Sequence, residues 1–209
     1  MLKLEAKLLD NSLSQKLLKK EQAARKAMSY TMKDLKRRAP TKVAQAVVDV
    51  YAVKQGDVKP GKGGMGGGGK VRASGETIDE FALTYTGSPM TPTHFKMTPK
   101  APPGGGRRYT VKATIKKGSK VTIGHWAKPG SEGGAYARPG DSPYFLAGGN
   151  GGSTLPFQRK GDKLAKVFRT VSIPQMVGAD EVAERAVKDI GELAEERLNH
   201  NLKRFLEAS

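Results

Sequence analysis

The chain has no cysteine, so disulfides, thiolate metal sites and cysteine nucleophiles are excluded from the outset. Histidine is almost as scarce. His94, His125 and His200 lie far apart in different kinds of segment, and none has a second histidine at metal-ligand spacing. No serine sits in a G-x-S-x-G elbow. No run of 18 apolar residues exists, and the first 22 residues, MLKLEAKLLDNSLSQKLLKKEQ, are too charged for a secretory signal, so the expected place of synthesis and use is a cytoplasm. Aromatics make up only 6% of the chain. These shortages leave few candidates for catalysis, metal binding or cofactor chemistry, and the expectation is a protein with none of the three.

Glycine and basic residues are abundant. Glycine (26) and proline (12) together form 38 of 209 residues, above the roughly 12% of average usage, and much of the excess sits in clusters. The formal net charge is +17. It is unevenly spread: residues 1 to 42 carry 12 basic and 4 acidic side chains, residues 43 to 178 carry 20 and 8, and residues 179 to 209 carry 5 and 8. Such a balance points to a polyanion or an acidic protein surface as partner.

The glycine cluster GMGGGGK (64 to 70) fits G-x-x-x-x-G-K, the phosphate-binding loop pattern. That loop needs a buried strand before it, a helix after it, and a Ser or Thr following the lysine to hold magnesium. Here Val71 takes that place, and the segment beyond reads poorly as a helix. The stretch is therefore read as a loop.

Residues 12 to 38 read as an amphipathic helix, with Leu13, Leu17, Ala24, Met28, Met32 and Leu35 on one face and lysine or arginine elsewhere; Pro40 is expected to end it. That face has no Trp or Phe, so docking on the protein's own sheet is favoured over lying on a membrane. The period then changes to two. KVAQAVVDVYAV (42 to 53), FALTY, THFKMTP, YTVKATI, VTIG, YFLAG and VFRTVSI read as strands, with KKGSK turning YTVKATI into VTIG. From Asp180, expected to cap the last helix, Val182, Ala186, Ile190, Leu193, Leu198, Leu202 and Phe205 return to helical spacing, to about residue 206. The expected fold is α+β in a single domain over 1–209: a helix at 12–38, one antiparallel sheet with extended loops at 42–176, and a helix at 180–206, both helices packing on the sheet. Long glycine-rich loops are expected at 56–75, 98–108 and 127–154.

The segments RRAPTKVAQAVVDVYAVKQGDV, MTPTHFKMTPK, YTVKATIKKGSK, YFLAGGNGGSTLPFQRKG, VFRTVSIPQMV and RLNHNLKRFL, in that order, resemble the minor tail protein Z family of long-tailed bacteriophages, the tail completion or neck proteins. The resemblance runs from about residue 20 to residue 206. It implies a non-enzymatic virion protein, assembled in the host cytoplasm, that completes the head-proximal end of the tail. The partners implied are copies of itself in a ring of six, tail terminator or tail tube proteins, the head–tail connector, and genome DNA in the lumen.

It also places Phe145, Leu146 and Ala147 at a strand start and Phe157, Gln158 and Arg159 beyond a variable loop, making Phe145, Phe157 and Arg159 candidate assembly contacts. Ser172 to Met176 corresponds to a strand leading into the last helix. In a ring, glycine loops would reach neighbouring subunits and become ordered on assembly. Lys62, Lys70, Arg72, Arg107 and Arg108, in or beside loops, are the candidate contacts to DNA phosphates. The alternative class is a free basic nucleic-acid-binding protein of ribosomal or chromatin type, although no RNP-like aromatic pair, zinc finger or lysine-rich tail is present.

Overall fold

A computed structural model describes residues 11–103, 109–126, 144–148, 154–160, 163–166 and 170–207. The α+β class holds. Two long helices, α1 (Asn11–Val50) and α4 (Asp180–Glu207), bracket two short ones, α2 (Gln55–Val58) and α3 (Ile173–Val177), and eight strands. β1 (Lys70–Ser74) and β2 (Ala82–Thr86) form a two-stranded sheet. A second sheet holds β3 (Met97–Thr98), β4 (Tyr109–Thr114), β5 (Lys120–Trp126), β6 (Tyr144–Gly148), β7 (Thr154–Lys160) and β8 (Lys163–Lys166) in sequential order. All its neighbours are antiparallel except β5 and β6, which pair in parallel through Trp126 and Tyr144. The expected single antiparallel sheet is thus two sheets, one of them mixed.

The chain divides into two compact units, each built from discontinuous segments. The first comprises residues 1–39, 73–83 and 187–209. In it, Met32, Leu35, Leu193 and Ala194 form a buried cluster against which Met28, Ile78 and Phe81 pack. Burying a leucine such as Leu35 contributes about 2 kcal/mol. Beside this cluster Asn201, buried, donates to the Thr31 hydroxyl (3.1 Å), which in turn donates to the Ala27 carbonyl (2.8 Å). Arg197 reaches Asp34 at 3.1 Å. The inward stripe of α1 in this unit runs through Ala23, Ala27, Thr31 and Leu35, four residues apart, so Ala24, expected inside, is exposed. Small side chains near one another on a helix carry little information about which faces in. Leu13 and Leu17 lie outside the described side chains.

The second unit comprises residues 40–72 and 84–186. Here α1 continues through Pro40 to Val50, where sequence reading ended the helix and began a strand. An interior proline removes one hydrogen bond and costs about 3 kcal/mol. Burial of Val43, Ala44, Ala46 and Val47, spaced as on a helix, offsets it. Beyond the helix the chain runs against the β4–β5 turn: Ala52 N–H donates to the Ile115 carbonyl (2.8 Å) and Lys117 N–H to the Val50 carbonyl (2.9 Å). Ion pairs Lys116–Glu181 (2.5 Å) and Arg185–Asp49 (2.8 Å) hold the first turns of α4 and the end of α1 in this unit. Asp180 sits in the first turn of α4, and Ala179, whose carbonyl accepts from Val182 and Ala183, occupies the capping place expected for Asp180.

The glycine cluster is not simply a loop. Residues 66–68 form a 3₁₀ turn that leads directly into β1. Gly67 has φ 63°, and a Cβ there would lie 2.3 Å from the Ser88 carbonyl oxygen. Ser88 N–H donates back to the Gly67 carbonyl at 3.0 Å, and Met90 N–H donates to Val171 at 3.2 Å, so residues 87–90 run between the glycines and the approach to α3. The Thr170 hydroxyl bonds the Met90 carbonyl. Ser172 to Met176, expected as strand, instead begins α3: the Ser172 hydroxyl accepts from Gln175 N–H and the Gln175 side chain accepts from Ser172 N–H (2.9 Å), a reciprocal cap. The residues 167–169 of the same expected strand lie outside the described residues.

Candidate functional site

The five basic residues singled out from sequence fall in two groups. Lys62, Lys70 and Arg72 are all exposed. Lys70 and Arg72 are two apart on β1, so they share one face with Ser74, while Val71 and Ala73 point to the half-buried face. Arg107 and Arg108 lie outside the described residues. Phe145 and Phe157 are brought together: they are opposite each other in the β6–β7 pair, rings 6.3 Å apart and tilted by 31°. Phe157 is buried, which gives that pair a packing task inside the sheet. Arg159 pairs through its backbone with Leu164 of β8; its side chain lies outside those described.

Nothing follows the glycine cluster that could serve a phosphate-binding loop, since Lys70 opens a strand rather than a helix. Of the histidines, His200 is exposed at the C-terminal end, and the His125 side chain is outside those described. His94 Nδ1 lies 3.2 Å from Asp57, which ties the 3₁₀ turn at Pro92–His94 to α2. No group of acidic, histidine or cysteine side chains among the described residues is arranged to hold a metal ion. Nor is any helix among them long and apolar enough to cross a membrane. Tyr85 is the most perturbed ionisable side chain described. Its hydroxyl is buried with no hydrogen-bond partner among the described residues, and burial pushes the phenol well above its ordinary value.

One concave feature of the second unit is a cleft of about 780 Å³, beside His94. Its walls come from the segment leaving α1 (Tyr51 to Lys54), the 3₁₀ turn and β3 (Thr93 to Lys100), the β4–β5 turn (Lys117) and the start of β7 (Thr154). Local sequence explains the arrangement. Phe95, which ends the 3₁₀ turn, and Met97, which opens β3, are both buried, and Lys96 and Thr98 between and after them are exposed, the alternation of faces that THFKMTP predicts. Tyr51 and Val53, also buried, anchor the other wall and leave Lys54 exposed. Four lysines, Lys54, Lys96, Lys100 and Lys117, therefore converge on one cleft, and none of its lining residues is acidic. Sequence reading missed this group because its members are 63 positions apart at the extremes. Only the crossing of the post-α1 segment with the β4–β5 turn brings them together.

Compared with protein-family models, with curated proteins and with solved structures, the chain matches none.

Proposed function

We propose that the chain is a structural protein of a long-tailed bacteriophage particle, one subunit of a ring of six copies that completes the head-proximal end of the tail and joins it to the head connector. The observation that carries this reading is the ordered set of resembling segments, which fall on separate elements. RRAPTKVAQAVV lies in α1, MTPTHFKMTPK builds the 3₁₀ turn and β3, YTVKATIKKGSK covers β4 and its turn, YFLAG is β6, and RLNHNLKRFL ends α4. The likeness is thus distributed over the fold and does not rest on one short peptide. The reading assigns the chain no catalytic role. Tail terminator or tube proteins, the connector and genome DNA are its proposed partners, with Lys62, Lys70 and Arg72 available to phosphates from an exposed position.

Deleting the reading frame from a particle-producing genome tests it. Electron micrographs of the lysate are expected to show filled heads and tails accumulating apart, with joined particles restored by supplying the protein in trans. Normal yields of infectious, joined particles would refute the reading.

The unneutralised lysines favour one second reading, a free nucleic-acid-binding protein. On that reading the deletion leaves particles intact, and the protein copurifies with host nucleic acid at low salt and is released at high salt.

A further inference from the structure

We propose that the lysine-rimmed cleft of the second unit is a site for phosphate groups, taking several at once. The inference rests on this cleft alone and stands whether or not the chain is a tail protein.

The charge arrangement carries it. Some cations elsewhere among the described residues are paired, Arg25 with Glu21, Arg37 with Asp34, Lys116 with Glu181 and Arg185 with Asp49, and others on exposed faces, such as Lys19 and Lys20, are not; what sets the cleft apart is that its unpaired lysines share one concavity. Around the cleft, Lys54, Lys96, Lys100 and Lys117 have no ion-pair partner among the described residues. The carboxylate next to the cleft, Asp57, is engaged by His94. Lys116, one residue before Lys117, points to Glu181, so the chain alternates a neutralised lysine with an unneutralised one that faces the cleft.

Four lysines around one cleft with no acidic residue in its lining make it a positively charged concavity, which attracts an anion of matching charge. Lysine is a compact point charge on a long stem and suits phosphate oxygens, while Thr93, Thr98 and Thr154 add hydroxyl donors to the lining. The floor, from Tyr51, Val53 and Met97, is buried and apolar and has no charge of its own to satisfy. A volume of about 780 Å³ exceeds the needs of a single orthophosphate and falls in the usual range of ligand sites. The matching ligand carries consecutive phosphates, either along a nucleic-acid strand or in a free polyphosphate.

The test is fluorescence anisotropy of a short labelled DNA strand titrated with the full chain at several salt concentrations. The cleft variant K54Q/K96Q/K100Q/K117Q is compared with a control, K19Q/K20Q/K26Q/K36Q, that removes equal charge from exposed positions on α1. The cleft variant is expected to bind about tenfold or more weakly, with a salt slope shallower by about 3, while the control stays within about twofold of the unaltered chain. Thr93→Glu, which adds a carboxylate and removes no lysine, is expected to weaken binding in the same direction.

Inorganic tripolyphosphate, added as competitor, separates the two sources. Displacement at concentrations comparable to the strand assigns the cleft to free polyphosphates, and failure to displace assigns it to the strand backbone. Equal losses in the cleft variant and the control, no binding by the unaltered chain, or displacement by a charge-matched polyglutamate as effective as that by tripolyphosphate would each overturn the proposal.

Discussion

At the scale of single residues, two positions show where this fold departs from ordinary economy. The Tyr85 hydroxyl is buried without a hydrogen-bond partner among the described residues, an arrangement that costs about 1 to 3 kcal/mol. Tyr85→Phe removes the orphaned group and keeps the ring, so it is expected to stabilise the protein by about 1 kcal/mol in urea unfolding at neutral pH. The same burial fixes a pH dependence. In the unfolded chain the phenol ionises near 10.0, whereas in the folded protein burial holds it protonated to higher pH. The folded value is raised, so its contribution is fully present below pH 10 and is lost as pH rises from there toward the folded value. Partial exposure limits that slope to about 1 kcal/mol per pH unit. Unfolding midpoints measured from pH 9 to pH 11 should fall less steeply for Tyr85→Phe than for the unaltered chain, and parallel curves would contradict the assignment.

Gly67 and Gly68 supply the second residue-scale test because they share a backbone conformation and differ in surroundings. Both have φ near +65°, but an added Cβ at Gly67 meets the Ser88 carbonyl at 2.3 Å, while one at Gly68 meets nothing within 4 Å. Gly68→Ala should cost about 1 kcal/mol, from backbone strain alone, and Gly67→Ala about 2 to 4 kcal/mol, since backbone must also move. Similar losses would mean that residues 66–69 do not pack against 87–90. A large loss at Gly67 also bears on the expectation that this stretch becomes ordered only on assembly: it would show the cluster contributing to the stability of the subunit itself.

At the scale of elements, what was legible followed periodicity. YTVKAT and YFLAG became β4 and β6, because each has one buried face that a period of two records, whereas of THFKMTP, expected as strand throughout, only Met97 and Thr98 are strand and Thr93 and His94 lie in the 3₁₀ turn, although Phe95 and Met97 are both buried. The C-terminal helix was legible from its apolar stripe, with Val182, Ala186 and Leu193 buried as expected. The misreadings have separate causes. Valine-rich AVVDV reads as strand by composition, yet the buried positions 43, 44, 46 and 47 follow a helical face, and tertiary burial outweighs both the valines and Pro40. β7, β8 and β1 were missed because lysine, glutamine and a proline interrupt any apolar run, and their strand character comes from neighbours across the ladder. Ser172 was read as strand although S-x-x-Q is a capping-box spacing. Ser172→Ala removes the hydroxyl that accepts from Gln175 N–H and leaves the backbone N–H of residue 172 to donate to the Gln175 side chain, and is expected to cost about 1 kcal/mol by thermal unfolding, with Ser172→Asp retaining most of the stability.

At the scale of the whole molecule, function was less legible than fold. The basic balance was visible in the sequence, but its focus was not. The candidates named from loops are dispersed, with Lys70 and Arg72 sharing a strand face and Lys62 in a separate exposed turn, whereas the four lysines around the cleft come from three distant segments. Likewise Phe145 and Phe157, read as assembly contacts, meet each other within the sheet, where Phe157 is buried and Phe145 half-buried.

The central claim is that the protein resides where the tail meets the head. Immunogold electron microscopy of particles, intact and mildly disrupted, with antibody to this chain tests it most directly. The account predicts gold at the head-proximal end of tails, on free tails as well as on joined particles. Unlabelled particles and tails, with gold following the host nucleoid or ribosomes, would contradict it.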